Sequence, residues 1–383
     1  MRQIIRFLII DSAYPINTRN IKIANSLCKH YSDREVQMIF CAWNREDKNI
    51  TSPNNYYIYK KYSPGGQLLR KLFNLFGYFR YLKKCNKCVS PDVIVASHWD
   101  MLFLSSIFKK KSQILIYENL DIPSADSSVL LTVLKIVERF ALRNTDMIVF
   151  ASRFYKSLYR SEKYVHSILE NKPLLSASHI SEHERNATRK INISYIGGVR
   201  YLEILKNLVS AVKDNSDVNL FFHGEGHDLK ALEKYSEGID NVYFTGRYEY
   251  DKIEYLYYNS DIVWAAYPNK DYNVKYAISN KFHESLHYNV PCIFSEKTSL
   301  GDLVLRKEIG FVVDPYSVEK IRELLGRILE EREVLSLVKY KMQEYVVTEK
   351  YLYKDVSDGA YKLYQQMTDW EGWKNTLKEI LGK

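Results

Sequence analysis

Short runs rich in Ile, Val and Phe alternate with helix-period segments along the chain. In the first half IIRFLII, VQMIF, VIVAS, ILIY and MIVFA are separated by stretches such as Asn17–His30 and Ser127–Asn144. In the second half NISYI, VNLFF, NVYF, IVWAA, PCIF and GFVV alternate with predicted helices over Tyr201–Asp214, Asp228–Tyr235, Ile253–Tyr258 and Lys281–Tyr288. Strand and helix in alternation is the signature of a parallel sheet covered by helices. The pattern predicts an α/β protein of two Rossmann-like lobes. The polar, aperiodic stretch Pro173–Lys190 reads as a linker, so the predicted domains are 1–172, a linker at 173–190, a second lobe at 191–345, and a tail at 346–383. The tail is expected to be helical: Trp370, Trp373, Leu377, Ile380 and Leu381 can share one apolar face that docks on the first lobe.

The length, 383 residues, fits two domains, and 46% hydrophobic with 26% charged residues is ordinary globular composition. Five cysteines without an even framework point to a reducing compartment. Cys85 and Cys88 form a single C-x-x-C with no second pair, so they are expected to be free thiols. The N-terminal apolar run before Asp11 is too short for a signal-peptide core, and no stretch reaches the ~18 apolar residues of a membrane span. A cytoplasmic protein is expected.

Charge adds an asymmetry. Residues 1–172 carry 27 Lys and Arg against 14 Asp and Glu, whereas residues 173–383 carry 28 against 32. A basic lobe attracts phosphate-rich partners. No nucleic-acid motif accompanies the charge, so nucleic acid is not the expected partner. Between Gly65 and Pro91 there is no acidic residue, and Arg70, Lys71, Arg80, Lys83 and Lys84 interleave with Leu and Phe in GGQLLRKLFNLFGYFRYLKK. This reads either as an amphipathic helix at an anionic membrane surface or as a core helix with a solvated basic edge, and periodicity does not separate the two.

Ligands of open α/β sheets bind beyond the carboxyl ends of the strands. In the first lobe Arg19 lies in or after the first such loop, and His98 and Glu118 end predicted strands. Arg19 and His98 are candidate acceptor contacts and Glu118 a candidate general base, with a surface charge and a structural carboxylate as the alternatives. In the second lobe the stretch NKDYNVKYAISNKFHESLHYNVPCIF follows a strand. Ser279 or Asn280 can open a helix with Lys281 in its first turn and Glu284 on the same face, an arrangement suited to a diphosphate and a ribose. Spacing alone favours a Ser279 cap above a surface ion pair. FHGEG carries a G-x-G, Gly224 and Gly226, without the third glycine of a dinucleotide fingerprint.

The string SNKFHESLHYNVPCI resembles the P-N-K-hydrophobic-x-E segment of retaining nucleotide-sugar glycosyltransferases of family four. YIGG (Tyr195–Gly198), FFHGEG, NVYFTGR and GFVVDP follow in the family's order. The resemblance covers Ile191–Pro315 and implies the two-lobed GT-B fold, with a nucleotide-diphosphate sugar as donor. It places Glu284 on the donor ribose and Lys281 on the donor phosphates, with Gly197, Gly198, Gly224, Gly226, Gly246, Arg247, Ser279 and Asn280 around the nucleotide. Two positions depart from the family: Tyr276 stands where its first glutamate falls, and Gly198 where an arginine falls, leaving Arg200 as the nearest cation. With no D-x-D, metal-free transfer is expected, with no cofactor. The implied acceptor is a lipid-linked glycan of bacterial surface polysaccharide synthesis, which places the protein at the inner face of the cell membrane. A nucleotide-sugar epimerase of the same fold and a non-catalytic sugar- or lipid-binding partner are the other readings.

Overall fold

The structure is a computed structural model that describes residues 4–30, 35–45, 52–63, 68–125, 127–160, 163–172, 190–354, 361–363, 375–376 and 379. It divides into two compact units, the first of Met1–Asn171 with Thr368–Lys383 and the second of Lys172–Met367.

The first unit runs β1 (Ile5–Asp11), α1 (Thr18–His30), β2 (Val36–Asn44), β3 (Tyr56–Lys60), α2 (Leu68–Val89), β4 (Val93–Ser97), α3 (Trp99–Phe108), β5 (Ile114–Asn119), α4 (Ser128–Leu142), β6 (Met147–Phe150) and β7 (Val165–Ile168). Its seven strands lie in the order β3-β2-β1-β4-β5-β6-β7, and every pair is parallel. A parallel sheet is covered on both faces, which is why its inner strands read as unbroken apolar runs. Phe7, Ile9, Val93, Val95, Ile116 and Val149 form the core of one face with Ile23 and Leu27 of α1. Each such side chain contributes about 1.5–3 kcal/mol by its burial. The chain steps one way from β1 to β3 and the other way from β4 to β6, so right-handed crossovers put α2, α3 and α4 in one layer on the face opposite α1.

Helix α2 is a core helix with a solvated basic edge. Tyr78, Leu82 and Cys85 are fully packed, and the Tyr78 hydroxyl donates to the carbonyls of Asp11 (2.9 Å) and Cys41 (3.3 Å). Arg80, Lys83 and Lys84 form an exposed basic edge, and Phe73 and Phe76 stand in solvent. The side chains of Arg70 and Lys71 lie outside the described residues. All five cysteines are free thiols, Cys85 buried and Cys88 exposed. Among the described residues no helix is long and apolar enough to cross a membrane.

The second unit runs β8 (Ile191–Ile196), α5 (Leu202–Val212), β9 (Val218–His223), α6 (Leu229–Tyr235), β10 (Val242–Gly246), α7 (Ile253–Tyr258), β11 (Ile262–Trp264), α8 (Asn280–Tyr288), β12 (Cys292–Ser295), α9 (Ser299–Lys307), β13 (Phe311–Val313), α10 (Val318–Glu330) and α11 (Glu333–Thr348). Six parallel strands lie in the order β10-β9-β8-β11-β12-β13. Helix α10 shows how sequence sets an element here. Ser317 caps it by accepting from the Lys320 amide at 3.2 Å, and Ile321, Leu324, Leu325 and Ile328 bury one face at helical spacing. After α11, β14 (Leu352–Lys354) pairs antiparallel with β15 (Tyr361–Leu363), and the described tail residues Asn375, Thr376 and Glu379 are helical. The linker at 173–189 and the apolar tail residues Trp370, Trp373, Leu377, Ile380 and Leu381 lie outside the described residues.

Candidate functional site

Three glycine turns meet at the carboxyl end of the second sheet, after β8, β9 and β10. Gly197 and Gly224 have φ of 134° and 137°, and Gly246 has φ of 71°, backbone that side chains of L-residues rarely adopt. The turns are stitched together: the Gly197 amide donates to His223 O (2.8 Å), Val199 to Glu225 O (2.9 Å) and Gly224 to Gly246 O (2.7 Å). The approach is tight enough to require glycine. A Cβ on Gly224 would lie 2.0 Å from Gly197 O, and one on Gly226 would lie 2.1 Å from Val199 O.

Helix α8 aims at these turns. Ser279 caps it, its hydroxyl accepting from the Lys281 amide at 3.3 Å, and Lys281 reaches back until its Nζ would stand 3.0 Å from a Cβ on Gly197. Lys281 is buried between the rings of Tyr195 (5.8 Å) and Tyr267 (6.0 Å). Burial alone would push its ammonium down, but the Tyr267 hydroxyl, the Glu284 carboxylate and Tyr195 more than offset this and raise it, so Lys281 is a cation at neutral pH. One turn on, Glu284 is buried and its Oε2 accepts from the Tyr257 hydroxyl of α7 at 2.8 Å. Burial, followed by the Glu284 charge, pushes the Tyr257 phenol up, which keeps it a donor. Lys281 and Glu284 are therefore not the exposed ion pair that spacing allowed.

The remaining residues of the second unit are less enclosed. Asn280, Arg200 and Arg247 are exposed, with the Arg200 guanidinium stacked on Tyr201 at 4.9 Å. Gly198 is exposed, and its carbonyl accepts from the Tyr195 hydroxyl at 2.6 Å. Tyr276 is half-buried on the loop after β11, edge-on to Tyr272 at 5.5 Å. Sequence reasoning missed Tyr257, Tyr267 and His223. Of these His223 ends β9, bonds Thr245 Oγ1 through Nδ1 at 2.8 Å, and is pushed down to about 4 by burial. No motif marks Tyr257 or Tyr267, and only the fold brings them to Lys281 and Glu284.

In the first unit Arg19 and Glu118 come together. Arg19 Nε donates to Glu118 Oε1 at 2.6 Å, and both residues are buried. Burial pushes the Glu118 carboxyl up, while the Arg19 guanidinium and His98 hold it down, with burial the larger effect. The two charges face each other out of solvent, with Arg19 Nη2 and Glu118 Oε2 left without a hydrogen-bond partner, so Arg19 is not an open phosphate contact and Glu118 is not a solvent-reaching base. His98 opens α3 with φ of 70°, its amide donating to Glu118 O at 3.2 Å and its Nδ1 3.9 Å from Asp121 Oδ2. Beside them Asp11 accepts from Asn17 N (3.0 Å) and Asn20 Nδ2 (2.9 Å) and fixes the first loop. Arg80, Lys83 and Lys84 stand apart from this cluster on the edge of α2.

Solved structures identify the architecture. Sucrose-phosphate synthase from Thermosynechococcus elongatus superposes with a TM-score of 0.71 at 13% identity, covering 99% of each chain. Anabaena HepE in complex with UDP and glucose gives 0.66 at 15%, covering 98% of this chain and 99% of its own. A putative UDP-N-acetylglucosamine 2-epimerase from Listeria monocytogenes gives 0.58 at 10%, covering 91% and 98%. The chain has the GT-B fold. Residues 177–345, which include all six strands of the second sheet, match the family described as glycosyl transferases group 1. The matched stretch falls wholly within the second unit. No curated protein sequence matches the chain significantly.

Proposed function

We propose that the protein transfers a sugar from a nucleotide-diphosphate sugar to a lipid-linked glycan in bacterial surface polysaccharide synthesis. The second unit holds the donor, and the basic first unit receives the acceptor at an anionic membrane surface on the cytoplasmic side. The observation that carries the reading is Lys281, a buried cation beside the bare backbone of Gly197 at the carboxyl edge of the sheet. That arrangement suits a diphosphate, whose negative charge compensates a lysine otherwise costly to bury. Glu284, held by Tyr257, presents a carboxylate to the ribose hydroxyls. The complex of HepE with UDP and glucose supports a uridine nucleotide as the first donor to try.

As the glycosidic bond to the diphosphate breaks, the sugar becomes oxocarbenium-like and negative charge grows on the departing phosphate. Lys281 is in place to stabilise that charge without reorganisation, with Arg200 as a second cation and no metal or cofactor required. Following the family resemblance, the acceptor hydroxyl attacks from the face the phosphate leaves, retaining the anomeric configuration. Tyr276 contacts the sugar by stacking and its hydroxyl in place of a carboxylate.

The test is nucleoside-diphosphate release from UDP-glucose, UDP-galactose and UDP-N-acetylglucosamine, with and without polyprenyl-linked glycan in detergent. Release that needs the lipid acceptor and is lost in Lys281→Ala supports the proposal. Conversion of the donor sugar with no acceptor present makes the protein an epimerase, and no turnover of any donor makes it a binding partner.

A further inference from the structure

Helix α4 is apolar nearly all round, and it shows this to solvent. Its inner side buries Glu138, Ala141 and Leu142. Its outer side carries Val129 (73% exposed), Leu130 (51%), Val133 (48%), Ile136 (59%) and Phe140 (52%). At 100° per residue Val129, Val133, Ile136 and Phe140 fall within about 60° of one another, opposite the buried face. A helix apolar on all sides is normally covered, and a contiguous exposed crest of this kind marks an interaction surface.

The charge around the crest selects the partner. Thr132, Arg139 and Arg143 are exposed along one flank, with Arg143 lying over the Phe140 ring at 5.8 Å. The acid of α4, Glu138, is turned inward to accept from Tyr117 (2.7 Å) and Tyr159 (2.6 Å). Helices α2 and α3 share this layer. Ile107 is 52% exposed on α3, Phe73 and Phe76 are 80% and 61% exposed on α2, and the exposed Arg80, Lys83 and Lys84 follow on α2. Across the three helices eight Lys and Arg face two acids, Asp100 and the buried Glu138. An outward apolar crest with a cationic border matches the interface of an anionic bilayer, where acyl chains take the crest and headgroup phosphates take the arginines.

We infer that the α4 crest, bordered by Arg139 and Arg143, is the surface that seats the first unit in an anionic membrane. The inference rests on the membrane-acceptor reading above and places its contact on a helix that the charge pattern of the sequence did not mark. A second copy of the chain on the crest would offer Arg139 and Arg143 no exposed acid of its own α4. Lipid phosphate offers them an anion.

The test is co-sedimentation of the full chain with vesicles of equal phosphatidylglycerol and phosphatidylcholine, and with phosphatidylcholine alone. The parent, Ile136→Gln/Phe140→Gln and Arg139→Gln/Arg143→Gln are compared, with circular dichroism as a check of folding and sedimentation velocity for oligomeric state. The parent is expected to bind the anionic vesicles, less in high salt, and to bind phosphatidylcholine weakly. Each double variant is expected to fold normally and bind at least about tenfold more weakly. Equal binding by the parent and both variants overturns the inference, as does no binding by the parent, or a parent dimer that Ile136→Gln/Phe140→Gln makes monomeric. Vesicle binding reads no donor chemistry. If it follows the prediction while no nucleotide sugar is turned over, the docking surface stands and the transferase reading falls.

Discussion

Replacing Gly224 by Ala tests how closely the glycine turns must pack for Lys281 to meet a ligand. The added Cβ would lie 2.0 Å from Gly197 O and 2.9 Å from Gly197 C, backbone atoms that cannot rotate aside. Restoring ordinary contact requires a displacement of about 1.5 Å. A residue with a side chain at φ of 137° costs about 1–3 kcal/mol, and forcing atoms into a packed site adds about 1–3 kcal/mol. The expected loss of stability is therefore about 2–6 kcal/mol. Gly238→Ala is the control: its φ is 77°, yet nothing lies within 4 Å of a new Cβ, so it carries only the backbone cost of about 1–2 kcal/mol. Because Gly197 is the backbone beside Lys281 Nζ, its displacement also misplaces the phosphate contact. Nucleotide affinity is expected to fall at least tenfold, about 1.4 kcal/mol, in Gly224→Ala and not in Gly238→Ala. Calorimetric melting and nucleotide titration of both variants read the two effects. Equal destabilisation by the two substitutions, or full nucleotide affinity in Gly224→Ala, refutes the reasoning.

Further predictions follow from single contacts. Tyr257→Phe removes the hydroxyl that donates to Glu284 Oε2 at 2.8 Å; a loss of about 1–2 kcal/mol is expected in thermal unfolding, with weaker nucleotide binding in titration. Burial lowers the His223 pKa from 6.5 to about 4, so between these values the unfolded chain binds the proton first. Its contribution, about 2–3 kcal/mol, is full above pH 6.5 and lost as pH falls toward 4, and His223→Gln is expected to flatten stability over that window in melts taken from pH 7 to 4. Gly326 lies inside α10 with nothing within 4 Å of a new Cβ; Gly326→Ala is expected to stabilise by about 0.5–1 kcal/mol, read as a higher melting temperature.

The inner strands are legible because burial on both faces leaves them as apolar runs such as VIVAS and NISYI; the edge strand β10 of the second sheet, with no buried residue, is marked by the short run NVYF. The first sheet has two more strands than the pattern predicts. Tyr56–Lys60 and Val165–Ile168 lie at its edges and are only part-covered, so Tyr, Lys and His interrupt the apolar signal. Helix α3 was hidden for the opposite reason: buried at Met101, Leu102, Leu104 and Phe108, it lacks a polar face to give it a period. At the site the local features were readable, namely the Ser279 cap, Lys281 and Glu284 one turn apart, and the glycines after each strand. Pairings made by the fold were not. Tyr257 meets Glu284 from 27 positions away and Arg19 meets Glu118 from 99, and the second of these turned two residues read as ligand contacts into partners of each other. The apolar crest of α4 is in the sequence, but only the packed structure shows which side of the helix faces out.

The most direct test of the central claim is calorimetric titration of the purified protein with UDP, GDP, dTDP, CMP and ADP, beside Lys281→Ala and Glu284→Ala. One nucleoside diphosphate is expected to bind the parent, and both variants are expected to lose it while melting as folded proteins. Binding that survives in Lys281→Ala, or no binding by the parent to any of the five, contradicts the donor site described here.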